Sequence, residues 1–339
     1  MSVRSRVRGL LGALGLGYLG IAAWNGHVYR RTRDLPFPLP LDGETGTYPW
    51  PGGRIFYTRR GQGEPVLLVH GIYAGADSHE FRQVFAPLAE RYQVYAYDLI
   101  GFGHSERPSL RYSGSLYVRL MVDFLRDVIG RPAHVIATSL SGGHAVVAAN
   151  QARDLVQRLI LVGPTGSTTA SVEPAGASQA AYLALNLLPD LAEGVRNAIA
   201  SRPFLRWYMA NRQFYDPSNV TDELVDYYYR SAHQPGAEHP LAAFLTGHLN
   251  VALDEPLRSL PQPLSLFWGR QARVTPLREA WCYLTVRPDA RLHVLESAAL
   301  DAINDQPQEF VRQTFDILAG AERETVSEEA LERTAPERA

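Results

Sequence analysis

Short apolar runs alternate with amphipathic stretches over most of the chain. Four of the runs are mainly apolar and short, which is typical of buried strands: Pro65–Val69, Val94–Asp98, His134–Ala137 and Leu159–Val162. Ser78–Glu90 and Leu116–Ile129, between them, have the spacing of helices. Tyr48–Tyr57, interrupted by a Pro-Gly-Gly turn, predicts a β-hairpin. Buried strands separated by helices predict an α/β fold with a doubly wound, mostly parallel sheet.

The alternation stops near residue 165, and a helical pattern rich in aromatic residues takes over until about residue 260. It resumes with two strands, Leu264–Trp268 and Arg291–Leu295, and two helices, Pro276–Tyr283 and Gln308–Leu318. We therefore predict a core of residues 34–164 and 261–319, with a helical cap inserted at 165–260. Residues 320–339 are rich in Glu and Arg and predict a solvated, disordered tail.

An apolar stretch near the N-terminus, Gly9–Trp24, is flanked by arginines on both sides. We predict from it that residues 1–33 form a membrane anchor, on a side of the membrane that the balanced arginines leave open. The run is shorter than the 20 or so residues of a usual spanning helix, so a signal peptide of a secreted protein is the alternative.

Composition removes several classes of function. The net charge of −2 gives no reason to expect a nucleic-acid partner. The single cysteine, Cys282, excludes an intrachain disulfide, and the scattered histidines give no metal-binding spacing. We expect no metal and no nucleotide cofactor. The chain has no lysine, so a Ser–Lys catalytic pair is impossible.

One segment, Ala137–Gly143, predicts a sharp corner between a buried strand and a helix of small residues. A serine at such a corner, with a small residue two positions away on each side, is the nucleophile elbow. Ser139 is therefore the candidate nucleophile. The amide of Leu140 lies next to it at the predicted helix N-terminus, where it can stabilise a negatively charged oxygen.

Several motifs occur in the order found in the α/β-hydrolase superfamily, and the chain resembles that superfamily from about residue 46 to 319. They are Val69–Ile72, Tyr97–Ser105, the serine corner, Trp268-Gly269 and Gln306-Pro307. The resemblance implies a hydrolase core with a helical cap and an ester or related acyl hydrolase activity. It also implies that the amides of Ile72 and Leu140 form an oxyanion hole, and that His70, Gly71, Tyr73, Phe102, Trp207 and Tyr208 contact the substrate.

The chain departs from the family pattern where the other two members of a catalytic triad belong. Ala272 stands at the position of the acid, and Leu300 at the position of the histidine. At the elbow itself, Ala137 and Ser141 replace two glycines. A serine without a base is a poor nucleophile, because loss of the base costs about a million-fold in turnover in well-studied triads.

Three functions fit these departures. The first is a weakly catalytic or non-catalytic protein that keeps an apolar pocket for an acyl or ester-type ligand. The second is an active ester or lipid hydrolase that uses a substitute base; the candidates are His104, then His233, His239 or His248, with Asp301 as the orienting carboxylate. The third is non-hydrolytic chemistry, such as a lyase reaction. The oligomeric state stays open.

Overall fold

The centre of the fold is one twisted sheet of eight strands. The structure, a computed structural model, describes residues 3–165 and 174–321, with side chains from residue 15 onward. The strands are β1 Glu44–Trp50, β2 Gly53–Arg60, β3 Pro65–Val69, β4 Gln93–Tyr97, β5 Ala133–Thr138, β6 Val156–Val162, β7 Leu264–Gly269 and β8 Arg291–Leu295. Their order across the sheet is β1-β2-β4-β3-β5-β6-β7-β8.

Only the hairpin end of the sheet is antiparallel. Strands β1 and β2 pair antiparallel with each other, β2 pairs antiparallel with β4, and the remaining neighbours are parallel. The residues of β3, β5 and β7 are all buried, because helices cover both faces of the sheet. The predicted fold class is confirmed.

The helices divide between the core and an inserted cap. They are α1 Val3–Thr32, α2 Phe85–Leu88, α3 Gly114–Phe124, α4 Leu140–Gln151, α5 Ala177–Leu187, α6 Pro189–Ile199, α7 Arg202–Tyr208, α8 Asp222–Ala232, α9 Glu238–Leu245, α10 Asp254–Arg258, α11 Ala280–Val286, α12 Ala302–Asp305 and α13 Pro307–Leu318. Helices α5–α9 follow β6 and form the cap. The predicted bounds of the cap and core stay predictions, and all but residues 320 and 321 of the predicted tail lie outside the described residues.

The segment predicted as one helix over residues 78–90 is instead a 3₁₀ turn, Ser78–Phe81, followed by the short helix α2. Asp77 caps the 3₁₀ turn by accepting a hydrogen bond from the amide of His79. A continuous helix would require an amide hydrogen at Pro87, which proline lacks. The break matters for the site, because it turns Glu80 towards the interior, where this side chain is buried.

The predicted membrane anchor is wrong. In the part of the chain that the structure describes, no helix combines the length and the apolar character needed to cross a membrane. The apolar stretch belongs to α1, a helix of 30 residues that also includes the flanking arginines. Its C-terminal half packs against the cap helix α6.

The contact between α1 and α6 is polar at its centre. Asn25 is 2% exposed, and its side-chain amide donates to the backbone carbonyl of Asp190 at 2.8 Å. Asn197 donates in turn to Asn25 Oδ1 at 2.9 Å. The helices approach closely beside these bonds, because a Cβ atom on Gly194 would lie only 2.8 Å from Ile21 Cγ2. The N-terminal helix is therefore fixed to the cap.

Replacing Asn25 by Ala is expected to destabilise the protein by about 1–3 kcal/mol, because the buried amide of Asn197 and the partly buried carbonyl of Asp190 lose their hydrogen bonds to Asn25. The free energy of unfolding in urea measures this loss. His27→Ala, on the exposed side of the same helix, is the matched control and is expected to change stability by less than about 0.5 kcal/mol. Equal stability of the two variants would show that the α1–α6 contact is not formed.

Candidate functional site

Ser139 lies at a strained corner at the carboxyl edge of the sheet. Strand β5 ends at Thr138 and helix α4 begins at Leu140, so the serine alone makes the turn. Its backbone angles are φ 50° and ψ −130°, which non-glycine residues rarely adopt. Its amide donates to the carbonyl of Val162 at 3.0 Å, which fixes the corner against the neighbouring strand β6. Such strain is typical of functional positions and holds the side chain at the edge of the sheet.

Two backbone amides stand beside this serine. Within residues 3–165 and 174–321, neither the Ile72 nor the Leu140 amide donates a hydrogen bond. The Leu140 amide is the first of helix α4, where the helix dipole adds positive potential. Free amides next to a nucleophile are the usual construction of an oxyanion hole.

Ser141 fixes the loop that carries Ile72. Its hydroxyl is fully buried and donates to the carbonyl of His70 at 2.7 Å, rather than to a carbonyl of its own helix. This bond ties the loop after β3 to the first turn of α4. Ser141 thus links the loop that carries Ile72 to the helix that begins at Leu140.

Ser141→Ala is expected to lower stability by about 1–3 kcal/mol, because the buried carbonyl of His70 loses its donor. Thermal unfolding measures the effect. The exposed Ser115→Ala is the control and is expected to melt as the wild type does. An unchanged melting temperature for Ser141→Ala would contradict the role assigned to this bond.

A cavity of about 470 Å³ opens above Ser139, between the sheet edge and the cap. This volume is within the usual range of small-molecule sites. Most of the lining side chains are apolar. The described lining comprises Ile72, Tyr73, Ala74, Glu80, Thr138, Ser139, Leu140, Val162, Gly163, Thr165, Ile199, Phe204, Leu205, Tyr208, Met209, Gln213, Leu241, Phe244, Leu245, Asn250, Val274, Thr275, Leu300, Asp301, Ala302 and Ile303.

Two of the six predicted substrate contacts, Tyr73 and Tyr208, line this cavity. His70, Gly71, Phe102 and Trp207 lie outside its described lining. His70 is fully buried beneath the loop, where Nδ1 donates to the Gly71 carbonyl at 2.7 Å and Nε2 accepts from the Leu99 amide at 3.0 Å. Burial lowers the pKa of this imidazole. The two hydrogen bonds of the ring join the loop after β3 to the loop after β4, and the ring makes an edge contact with Phe102.

Leu300 lines the cavity, whereas Ala272 is buried in the turn after β7 and is not among the described lining residues. The two loops that carry them are bonded together, because the Gln271 amide donates to the Ala298 carbonyl at 2.9 Å. The two positions that the sequence predicts for the acid and the base therefore lie on neighbouring loops. Neither residue has a side chain that can accept a proton.

No histidine reaches the cavity. All ten histidines of the chain are in the described residues, and none is in the described lining. His104 stacks on Phe37 at 4.2 Å between ring centroids and contacts the Pro38 carbonyl through Nε2 at 2.9 Å. The structure thus places it against the segment after α1 and does not bring it to Ser139.

The three cap histidines are also held elsewhere. Nδ1 of His233 contacts the Tyr229 carbonyl at 2.7 Å, one turn back along its own helix. The two ring nitrogens of His248 contact Thr246 and Gln179. The ring of His239 lies 4.0 Å from Glu238. None of them is brought to the serine.

The structure brings two buried carboxyl groups to the cavity instead: Glu80 and Asp301. Oε2 of Glu80 accepts from the Gly71 amide at 2.8 Å. Burial, followed by repulsion from Asp301, raises the pKa of Glu80 to about 7. Asp301 accepts from Asn304 at 2.7 Å and from Gln213 at 3.2 Å, and burial raises its pKa as well.

Asp301 was predicted from sequence only as an orienting residue, and Glu80 was missed. The signal for Glu80 was weak, because a glutamate within a predicted amphipathic helix is normally assigned to the solvent face. Within the described residues, no group of three or more His, Cys, Asp or Glu side chains has the arrangement of a metal site. Cys282 is a free, half-buried thiol.

Comparison with known proteins supports the fold. The model of the alpha/beta hydrolase family matches residues 66–313. A Mycobacterium tuberculosis protein described as uncharacterized is 30% identical over 274 residues, covering 77% of this chain and 76% of its own. The 2-hydroxy-6-oxo-6-(2'-aminophenyl)hexa-2,4-dienoic acid hydrolase of Metapseudomonas resinovorans is 23% identical over 272 residues, which are 78% of this chain and 87% of that enzyme.

A solved structure of similar fold is the meta-cleavage product hydrolase of Pseudomonas fluorescens IP01. It superposes with a TM-score of 0.67 at 24% identity, and the match covers 82% of this chain and 98% of that enzyme. At this identity, the likeness concerns the fold alone.

Proposed function

We propose that this chain, which belongs to the alpha/beta hydrolase family, binds an apolar acyl or ester compound above Ser139 and accepts its acyl group slowly, without help from a histidine. The proposal has two parts, binding and acyl transfer. Hydrolysis of the acyl-serine by water completes a weak ester hydrolase reaction.

The observation that carries the proposal is the arrangement of the cavity floor. Ser139 lies at the bottom of a mainly apolar space of about 470 Å³, and the two free amides of Ile72 and Leu140 stand beside it. An apolar chain would fill the space, while the two amides would donate hydrogen bonds to the ester carbonyl oxygen. This combination selects carbonyl compounds with apolar groups and disfavours highly charged ones.

Slow turnover follows from the positions of the histidines. In serine hydrolases with a full triad, an imidazole removes the hydroxyl proton and later protonates the leaving group. From the sequence, we assign Leu300 and Ala272 to the family positions of the base and its acid. Stabilisation of the oxyanion and binding alone still accelerate such reactions about 10³–10⁴-fold over water.

A fluorophosphonate with an alkyl chain tests the proposal, because it phosphonylates an activated serine and resembles the tetrahedral intermediate. We expect intact-protein mass spectrometry to detect a single adduct that forms over minutes to hours and is absent from Ser139→Ala. Ser115→Ala, which changes an exposed serine, should label as the wild type does. An unlabelled wild-type protein that still binds alkyl esters would leave the binding part standing and refute acyl transfer.

A further inference from the structure

We propose that the carboxylate of Glu80 is the proton acceptor for Ser139 and that Asp301 sets its basicity. This inference rests on the proposed function, because it identifies the group that activates the serine for acyl transfer. It differs from the sequence-based hypothesis of a substitute histidine, since all ten imidazoles are held away from the cavity.

The first argument is proximity. A Cβ atom placed on Gly71 would lie 3.2 Å from Ser139 Cβ, 3.2 Å from Thr138 Oγ1 and 3.5 Å from Glu80 Oε2. The Ser139 Cβ atom and the carboxylate oxygen thus both lie within 3.5 Å of one point, which only a glycine leaves open. The proposal requires that a rotation of the serine side chain, or one bridging water molecule, brings its hydroxyl into hydrogen-bond contact with the carboxylate. The Ser139 hydroxyl makes no hydrogen bond to any of the described residues.

The second argument is orientation. The Gly71 amide donates to Glu80 Oε2 at 2.8 Å, and the hydroxyl of Tyr73 lies 3.5 Å from the same oxygen. The Asn304 side chain connects the Glu80 backbone carbonyl, at 2.8 Å, with Asp301 Oδ1, at 2.7 Å. A carboxyl group held by these contacts does not need to reorganise when it accepts a proton, which is the usual property of an efficient base.

The third argument is electrostatic. Burial and the negative charge of Asp301 raise the pKa of Glu80 to about 7, while the Thr138 hydroxyl, the Gly71 amide and Arg82 oppose the rise. Tyr73, the other titratable group that contacts Glu80, has a pKa well above its ordinary value because of burial, and so stays neutral. A base with a pKa near the working pH is both available and strong enough to remove a proton.

The reaction balances without another reagent. As the Ser139 oxygen bonds to the ester carbonyl carbon, its proton passes to Glu80, and the carbonyl oxygen becomes an oxyanion beside the Ile72 and Leu140 amides. The carbon–oxygen bond to the alcohol then breaks, and the neutral Glu80 returns the proton to the leaving alkoxide. In the second half, water loses a proton to Glu80, its oxygen bonds to the acyl carbon, and the serine recovers the proton as the acid leaves. Glu80 is neutral whenever the oxyanion exists, which avoids repulsion between two adjacent charges.

The test is the pH dependence of Ser139 acylation by p-nitrophenyl butyrate, followed by release of p-nitrophenolate and by the mass of the acyl-protein. In the wild type, the rate is expected to rise through a pH of about 7, as Glu80 loses its proton. Glu80→Gln keeps the shape of the side chain and its bond to Gly71 but cannot accept a proton. The acylation rate should therefore fall about 100-fold or more, and it should no longer rise through this pH range. Glu90→Gln, at an exposed position, is the control and should behave as the wild type does.

A second variant gives a readout that a purely structural role would not produce. Asp301→Asn removes the negative charge beside Glu80, so the pKa of Glu80 falls and the rise of the acylation rate should move to lower pH. Ser139 acylation with a pH profile unchanged in Glu80→Gln would refute the role of Glu80 and leave the proposed function intact. Failure of the wild type to acylate at Ser139 at any pH would refute the proposed function and this inference together. Binding of an alkyl ester by Glu80→Gln verifies that the variant is folded.

Discussion

The double variant Ala272→Asp, Leu300→His is expected to hydrolyse short esters at least about 100-fold faster than the wild type, because it supplies the serine with an imidazole base. Leu300 lines the cavity that contains Ser139, so a histidine there would face the nucleophile. The loops that carry the two positions are already joined by the bond between the Gln271 amide and the Ala298 carbonyl. An aspartate at 272 is expected to orient the new imidazole.

The single variants are the controls for this gain. Leu300→His alone should increase the rate of ester hydrolysis less, because nothing orients its ring. Ala272→Asp alone should leave the rate unchanged, because the aspartate has no imidazole to orient. Groups that act as one catalytic unit are strongly non-additive. The comparison requires kcat/KM for p-nitrophenyl butyrate in all four proteins. No gain in the double variant, in a protein that remains folded, would show that Ser139 and its amides are not arranged for acyl transfer.

The second large effect concerns the joint between cap and core. Asp77 is fully buried and accepts three hydrogen bonds, from Tyr227 at 2.9 Å and Ser231 at 3.2 Å on the cap helix α8, and from the His79 amide at 2.9 Å. Burial, together with Asp98, raises its pKa well above the ordinary value. Asp77→Ala leaves two buried hydroxyl donors and the partly buried His79 amide without this acceptor, and it is expected to destabilise the protein by about 3 kcal/mol or more.

Urea unfolding measures this loss. The matched control is Asp226→Ala on the same helix α8, where the carboxylate pairs with Arg202 at 2.5 Å in a partly exposed position. Such a surface pair contributes at most about 1 kcal/mol. If the two variants were equally stable, the cap would be held by something other than the buried Asp77 cluster.

The sheet and the serine corner were predictable because each rests on local pattern. Short apolar runs can bury both faces of a strand, and the small residues around Ser139 are what a strand-to-helix corner requires. The eight observed strands include every predicted one. The unusual backbone angles of Ser139 agree with this interpretation.

The electrostatics of the cavity were not predictable, because they depend on contacts between distant segments. Glu80 and Asp301 are 221 positions apart, and only the fold brings their carboxyl groups to one cavity, where Asn304 donates to the Glu80 backbone carbonyl and to Asp301. The position of the His104 ring was not predictable for the same reason. Its position in the loop after β4 is close to the site in the family pattern, but the segment containing Phe37 and Pro38 holds the ring elsewhere.

The N-terminal helix illustrates the limit of apolar content as a signal. A stretch without charges resembles an anchor when it is read alone. Asn25, just beyond that stretch, makes buried hydrogen bonds to α6, and the flanking arginines belong to the same helix as the apolar residues. Whether this segment is an anchor or a packed helix depends on its contact with α6, where Asp190 is 165 positions from Asn25 in the chain.

The most direct test of the account is a crystal structure of the wild-type protein after reaction with an alkyl fluorophosphonate. We expect a bond from phosphorus to Ser139 Oγ, with the phosphoryl oxygen about 2.7–3.1 Å from the amides of Ile72 and Leu140. The alkyl chain should occupy the cavity, and Glu80 should be the ionisable group facing the adduct. An adduct on another residue, a phosphoryl oxygen away from both amides, or an imidazole moved into contact with Ser139 would contradict the account.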